Sequence, residues 1–288
     1  MVLRSIFSDR LFRDRITHIL YMIRLIVNAD DLGMNHRVNI AIEKEIREGN
    51  ISSSTIMANA DGFDEAVRLS QNYPQISFGV HLTLDEFRPV TNNRLFYDCG
   101  IVDSETGCFV KGKIWQINID DDLKKAIRQE WSAQIKKVKE AGIPVSHVDS
   151  HHHVHTIPAL KDILLEVLAE NGITKARSCN CGSWKELFHG WRHFNGGSLI
   201  KESIYLLLRH QRLNDRRDWI CYVGKVIRLT DDFCSVTSFL FNENYYKKYC
   251  DNDCIELECH PGHVNYQNET NKLSRLKVYD RVTYNDLK

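Results

Sequence analysis

The sequence has 288 residues, 43% of them hydrophobic and 26% charged, with lysine plus arginine matching aspartate plus glutamate at 38 each. This composition excludes disordered and fibrous chains, and the length is enough to bury one full α/β core. The balanced charge provides no field toward nucleic acid or an anionic membrane, so a compact neutral ligand suits it better.

Residues 1–21 are basic, and Asp9, Arg10, Arg13, Asp14 and Arg15 interrupt every apolar run, leaving neither a secretory core nor a membrane span. They are expected to be an appendage, such as a start-site artefact, with the folded unit covering 22–288. A first strand is predicted near 25–28, followed by a helix in NIAIEKEIREGN that stops at Gly49 and Asn50. A strand near 54–59, a helix over 63–71 capped by Asp61, and a strand at 76–82 come next. After a longer connection, Leu123, Ile127, Trp131, Ile135 and Val138 mark a helix over 122–141 by their spacings of four and three, and Gly142 ends it.

A strand at 146–150 precedes a helix with Leu160, Ile163, Leu164, Val167 and Leu168 on one face, and ITKARS reads as another strand. The stretch 182–250 has weak periodicity and yields no order of elements. A last strand is predicted at 254–260. Alternating strands and helices imply parallel strands with helical crossovers. The expected architecture is α/β: an irregular (β/α) barrel, TIM-barrel-like, in a single domain, with a doubly wound open sheet as the competing arrangement.

Nine cysteines at irregular spacing are an odd number without repeated pairs, which points to reduced thiols and a cytoplasmic protein. A zinc site of Cys250, Cys254 and His260 competes with a plainer reading, in which Cys254 and Cys259 are small apolar residues of a buried strand.

Polar residues gather just after the predicted strands: Asp30 and Asp31 after the first, His81 after the third, His151, His152, His153 and His155 after the fourth, His260 after the last. In parallel α/β folds these ends share one face, so residues far apart in sequence can converge there. Singly, Asp30 and Asp31 read as a turn before Gly33, His81 as a core histidine and the segment at His260 as a turn. HVDSHHHVH is harder to dismiss, with five histidines and an aspartate within nine residues. Aspartate with two histidines leaves open positions on a divalent cation, and such a cation lowers the pKa of water toward about 7.

At these residues the chain resembles the YdjC-like family of chito-oligosaccharide deacetylases, through LIVNADDLG, GNISSSTIMAN, GVHLTL, HVDSHHHVHTIP and IELECHPG in the family's order. The resemblance covers roughly 23–178 and 254 to the end. It implies a barrel-like fold and hydrolytic removal of the N-acetyl group from an acetylated amino sugar or oligosaccharide. Carried over, Asp31, His81 and His151 are the metal ligands and Asp30 the general base; an acid must also protonate the departing amine, and His260 is expected to do so, with Glu256 orienting it. Arg177, Glu256 and His153 are the substrate-binding candidates. Magnesium is the metal the resemblance implies, while zinc, manganese and cobalt also suit the donors. Leu32 stands where phenylalanine is common. The competing functions are hydrolysis of a phosphoester or cyclic amide and non-catalytic sugar or metal binding. No nucleic-acid or membrane partner is expected, and homo-oligomerisation is left open.

Overall fold

A computed structural model describes residues 23–178, 218–241, 246, 249 and 253–288. The expected appendage at 1–21, Cys250 and much of 182–250 lie outside the described residues. Among those described, one sheet has nine strands: β1 (Arg24–Leu32), β2 (Ser53–Ile56), β3 (Ser77–Leu82), β4 (Val148–Ser150), β5 (Lys175–Ala176), β6 (Arg228–Leu229), β7 (Asp232–Ser235), β8 (Cys254–Cys259) and β9 (Asp280–Arg281).

Every strand pair is parallel. The order β6-β5-β4-β3-β2-β1-β8-β7 follows the chain around a ring, closes by pairing β8 with β1, and leaves a seam between β6 and β7. A doubly wound sheet would reverse its strand order near the middle. The architecture is therefore an α/β barrel left incomplete, as the alternation of elements predicted.

Four longer helices cover the sheet: α1 (His36–Arg47), α2 (Phe63–Asn72), α3 (Asp121–Glu140) and α4 (Lys161–Glu170). The Asn35 side chain caps α1 by accepting from Val38 N, and Asp120 caps α3 by accepting from Leu123 N. The N-cap of α2 is Gly62 and not the expected Asp61, and no side chain bonds there. Leu123, Ile127, Trp131, Ile135 and Val138 of α3 are all buried, as their spacing predicted. No helix among the described residues is long and apolar enough to cross a membrane.

Two buried polar residues of α3 position the loop after β3. Gln134 accepts from Thr83 N at 3.0 Å, and Glu130 accepts from Val90 N and Thr91 N, both at 2.8 Å. These bonds satisfy loop backbone that the sheet leaves unpaired, and they anchor the segment carrying Asp85 and Glu86.

Candidate metal centre

Consecutive residues of a regular strand point to opposite faces, so Asp30 and Asp31 could not both face the barrel interior. The pairing of β1 with β2 resolves this: Ala29 matches Ser54 and Leu32 matches Ile56, so β1 holds one extra residue and bulges at the two aspartates. Asp31 takes φ of 67°, the left-handed region that an aspartate enters more readily than most residues. Both carboxylates then line one cleft.

Asp31, His81 and His151 offer ligand atoms within 4.8 Å of one another, and all three are buried. Asp31 Oδ1 lies 3.2 Å from His81 Nε2 and 2.8 Å from His151 Nδ1, while Asp31 Oδ2 is 3.1 Å from His263 Nε2. Each histidine is held from behind by a carboxylate. His81 pairs in register with Asp149 across β3 and β4, and its Nδ1 is 2.7 Å from Asp149 Oδ1. His151 Nε2 is 2.8 Å from Glu86 Oε2. Such backing carboxylates fix the orientation of a metal-ligating imidazole.

Burial would lower the proton affinity of His81, but the charge of Asp149 and its hydrogen bonds to Asp149 and Asp31 hold it well above the usual histidine range. His151 is pushed up to about 9, because the charge and hydrogen bond of Asp31 outweigh burial. Burial likewise opposes ionisation of Asp31, yet His151 holds its carboxyl well below the usual range. Asp31 thus sits among imidazoles that favour their protonated form, and a divalent ion would compete with those protons for the same nitrogens. The donor set fits a divalent metal.

A second layer lies deeper. Arg177, wholly buried, donates through Nη1 to Asp30 Oδ2 at 2.7 Å, through Nη2 to Asp30 Oδ1 at 2.6 Å and through Nε to Glu256 Oε1 at 2.8 Å. Its Nη2 also lies 2.8 Å from Asp149 Oδ2. Burial favours neutral Asp30, but the charge and hydrogen bonds of Arg177 prevail and lower it far below the carboxylate norm. Burial, assisted by the Asp149 charge, pushes Glu256 up to about 7.

This arrangement corrects two expectations. Arg177 and Glu256 cannot meet a substrate hydroxyl, because both are fully buried and spend their polar atoms on each other, Asp30, Asp149 and the Tyr284 hydroxyl. Nor does Glu256 orient His260. Glu269 occupies that position, with Oε2 3.4 Å from His260 Nδ1 and 3.2 Å from His260 N. The alternative zinc reading fails on geometry: Cys254 opens β8 and His260 follows its last residue, so an extended strand of roughly 20 Å separates the two.

Above these layers opens a cleft of about 500 Å³ lined by Asp30, Asp31, His81, His151, His153 and His260, among others. His260 Nε2 is 3.9 Å from Asp30 Oδ2, and His153 Nε2 is 3.7 Å from Glu258 Oε2. Burial opposes a proton on His260, but its bond to Glu269 and the charges of Asp30 and Glu258 raise it to about 9. The cleft also contains residues not anticipated from the sequence: Glu86, Lys111, Glu258, His263 and Tyr266. Glu258 was detectable, since Glu256 and Glu258 alternate onto one face of a buried strand. His263 follows His260 by three residues in HPGH, a pairing that hints at a shared site. Lys111 and Tyr266 sit on loops and carry no such signal.

The profile of the YdjC-like protein family matches residues 24–287. The chain belongs to this family. Among curated relatives, the carbohydrate deacetylase of Brevibacillus brevis is 37% identical over 147 residues, 51% of this chain and 56% of that protein. The carbohydrate deacetylase of Vibrio cholerae is 36% identical over 145 residues, 50% of this chain and 54% of that protein. The YdjC-like chain thus spans just over half the length of these relatives. A crystal structure from Enterococcus faecalis, named as a candidate cellobiose-phosphate cleavage protein, superposes with a TM-score of 0.65 at 20% identity, covering 92% of this chain and 98% of that one. At that identity the likeness extends to the fold alone.

Proposed function

We propose that this chain is a metal-dependent hydrolase that removes the N-acetyl group from acetylated amino sugars or chito-oligosaccharides in the cytoplasm. The observation that carries this reading is the convergence of Asp31, His81 and His151 in one cleft with Asp30 and His260. Its carbohydrate deacetylase relatives supply the substrate class. When bound by Asp31, His81 and His151, a divalent ion, magnesium by family resemblance, supplies Lewis-acid polarisation of the acetamide carbonyl and a lowered pKa for water.

The residues divide the proton work. Asp30, kept ionised and aimed by Arg177, accepts a proton as water adds to the carbonyl carbon. His260, protonated and held by Glu269, gives a proton to the nitrogen as the C–N bond breaks, releasing acetate and the free amine. His153 at the cleft wall meets the sugar.

The test is acetate release from N-acetylated mono- and oligosaccharides by metal-stripped protein resupplied with magnesium, manganese, cobalt or zinc. Release that requires metal, disappears in His81→Ala and His151→Ala, and is lost in Asp30→Asn with metal binding retained is the expected result. No release with any sugar and metal would overturn the proposal.

A further inference from the structure

His151 presents its two ring nitrogens to different sets of donors. Nδ1 faces Asp31, whereas Nε2 faces the loop after β3 and Glu86. On that outer side His152 Nδ1 is 2.6 Å from Asp85 Oδ2, and the rings of His151 and His152 lie 3.9 Å apart between centroids. Adjacent side chains of an extended segment would diverge. Here φ of 49° at His152 and 58° at His153 coils the chain through the left-handed region, so the two imidazoles converge.

Asp85, His151 and His152 offer ligand atoms within 4.8 Å of one another. Asp85 is 1% exposed, and its Oδ1 is buried without a hydrogen-bond partner. A carboxylate oxygen withdrawn from water and left unmatched is costly, and a cation is the partner that removes the cost. The His152 side chain is 38% exposed, so the cluster opens to solvent and to entering ions. The inner centre does not use Asp85 or His152, and neither is required by the proposed deacetylation.

The geometry points to a second cation site on the outer side of His151, in which Asp85, His152 and the outward Nε2 of His151 bind a zinc-class divalent ion with Glu86 at its edge. Two imidazole nitrogens and a carboxylate, the same kinds of donor as at the inner centre, suit a zinc-class ion. Sharing His151 couples the two sites, so filling one alters the other's affinity.

Zinc titration of the metal-stripped full chain by calorimetry and equilibrium dialysis tests the site. His152→Ala and Asp85→Asn are each expected to bind one zinc equivalent fewer than the native sequence while still binding magnesium. His81→Ala is expected to keep the equivalent that those two variants lose. Circular dichroism establishes that each variant is folded, and His152, being half-exposed, is the substitution least able to disturb folding. Undiminished zinc binding in folded His152→Ala and Asp85→Asn would overturn the site. Bound zinc is the readout, so that result would leave the deacetylase reading standing, while absent acetate release would leave this site standing.

Discussion

Arg177 is the residue on which the interior depends. A guanidinium with no exposure is tolerable because its planar fork meets Asp30, Asp149 and Glu256 at 2.6–2.8 Å. Its ring-face contact with Phe233, 4.9 Å from the centroid, covers another side. Arg177→Met would leave these carboxylates buried without a cation, a change expected to cost about 3–5 kcal/mol of stability in urea unfolding. Arg177→Lys should fall between, keeping the charge and losing the fork. An unfolding midpoint for Arg177→Met equal to that of the native sequence would refute this account. At this scale the sequence exposed the residues that converge in the cleft because histidines and aspartates clustered after strands. It concealed Arg177, because a single arginine ending ITKARS looks the same whether it faces a substrate or an interior carboxylate layer. It concealed Glu269 too, since its meeting with His260 depends on how the intervening loop folds back.

Elements with strong periodicity were legible, and those in the weakly periodic stretch were not. α3 followed its apolar spacing closely and β5 lies within the strand read in ITKARS, whereas β6 spans two residues and offers no alternation to detect. The bulge in β1 was also unreadable, since one extra residue appears only when the partner strand's register is known. Between β3 and β4 the register demands glycine. A Cβ on Gly79 would lie 2.6–2.7 Å from ring and backbone atoms of His147. Gly79 sits two residues before His81, and His147 two before Asp149, so any strand separation there is transmitted to the histidine and the carboxylate behind it. Gly79→Ala is therefore expected to lose about 1–3 kcal/mol of stability and to weaken metal binding at the same time. Calorimetric metal titration beside thermal unfolding checks this, and a stability loss with unchanged metal affinity would show that the strands do not transmit the strain.

Across the whole molecule, the candidate site lies at the carboxyl ends of the strands, and the segment after β9 secures the opposite end. Tyr284 is wholly buried there. Its ring stacks on His147 at 3.5 Å and 8°, its N donates to Ser77 Oγ at 3.1 Å, and its carbonyl accepts from Lys175 Nζ at 2.6 Å. Its hydroxyl donates to Glu256 on β8. One residue thus ties together the starts of β3, β4 and β5 and reaches up to the Arg177 layer. Residues at this end of a barrel serve stability, while those at the other end serve catalysis. Tyr284→Phe separates the two, because it preserves the stack and removes one hydrogen bond to a carboxyl group. It should lose about 1–3 kcal/mol of stability with metal affinity unchanged, since Tyr284 touches Glu256 and none of Asp31, His81 or His151. Tyr284→Ala, which also opens a cavity, should lose about 3–5 kcal/mol. Urea unfolding alongside metal titration decides the point: if Tyr284→Phe weakened metal binding while leaving stability intact, the carboxyl-terminal segment would belong to the site and not to the barrel's closure.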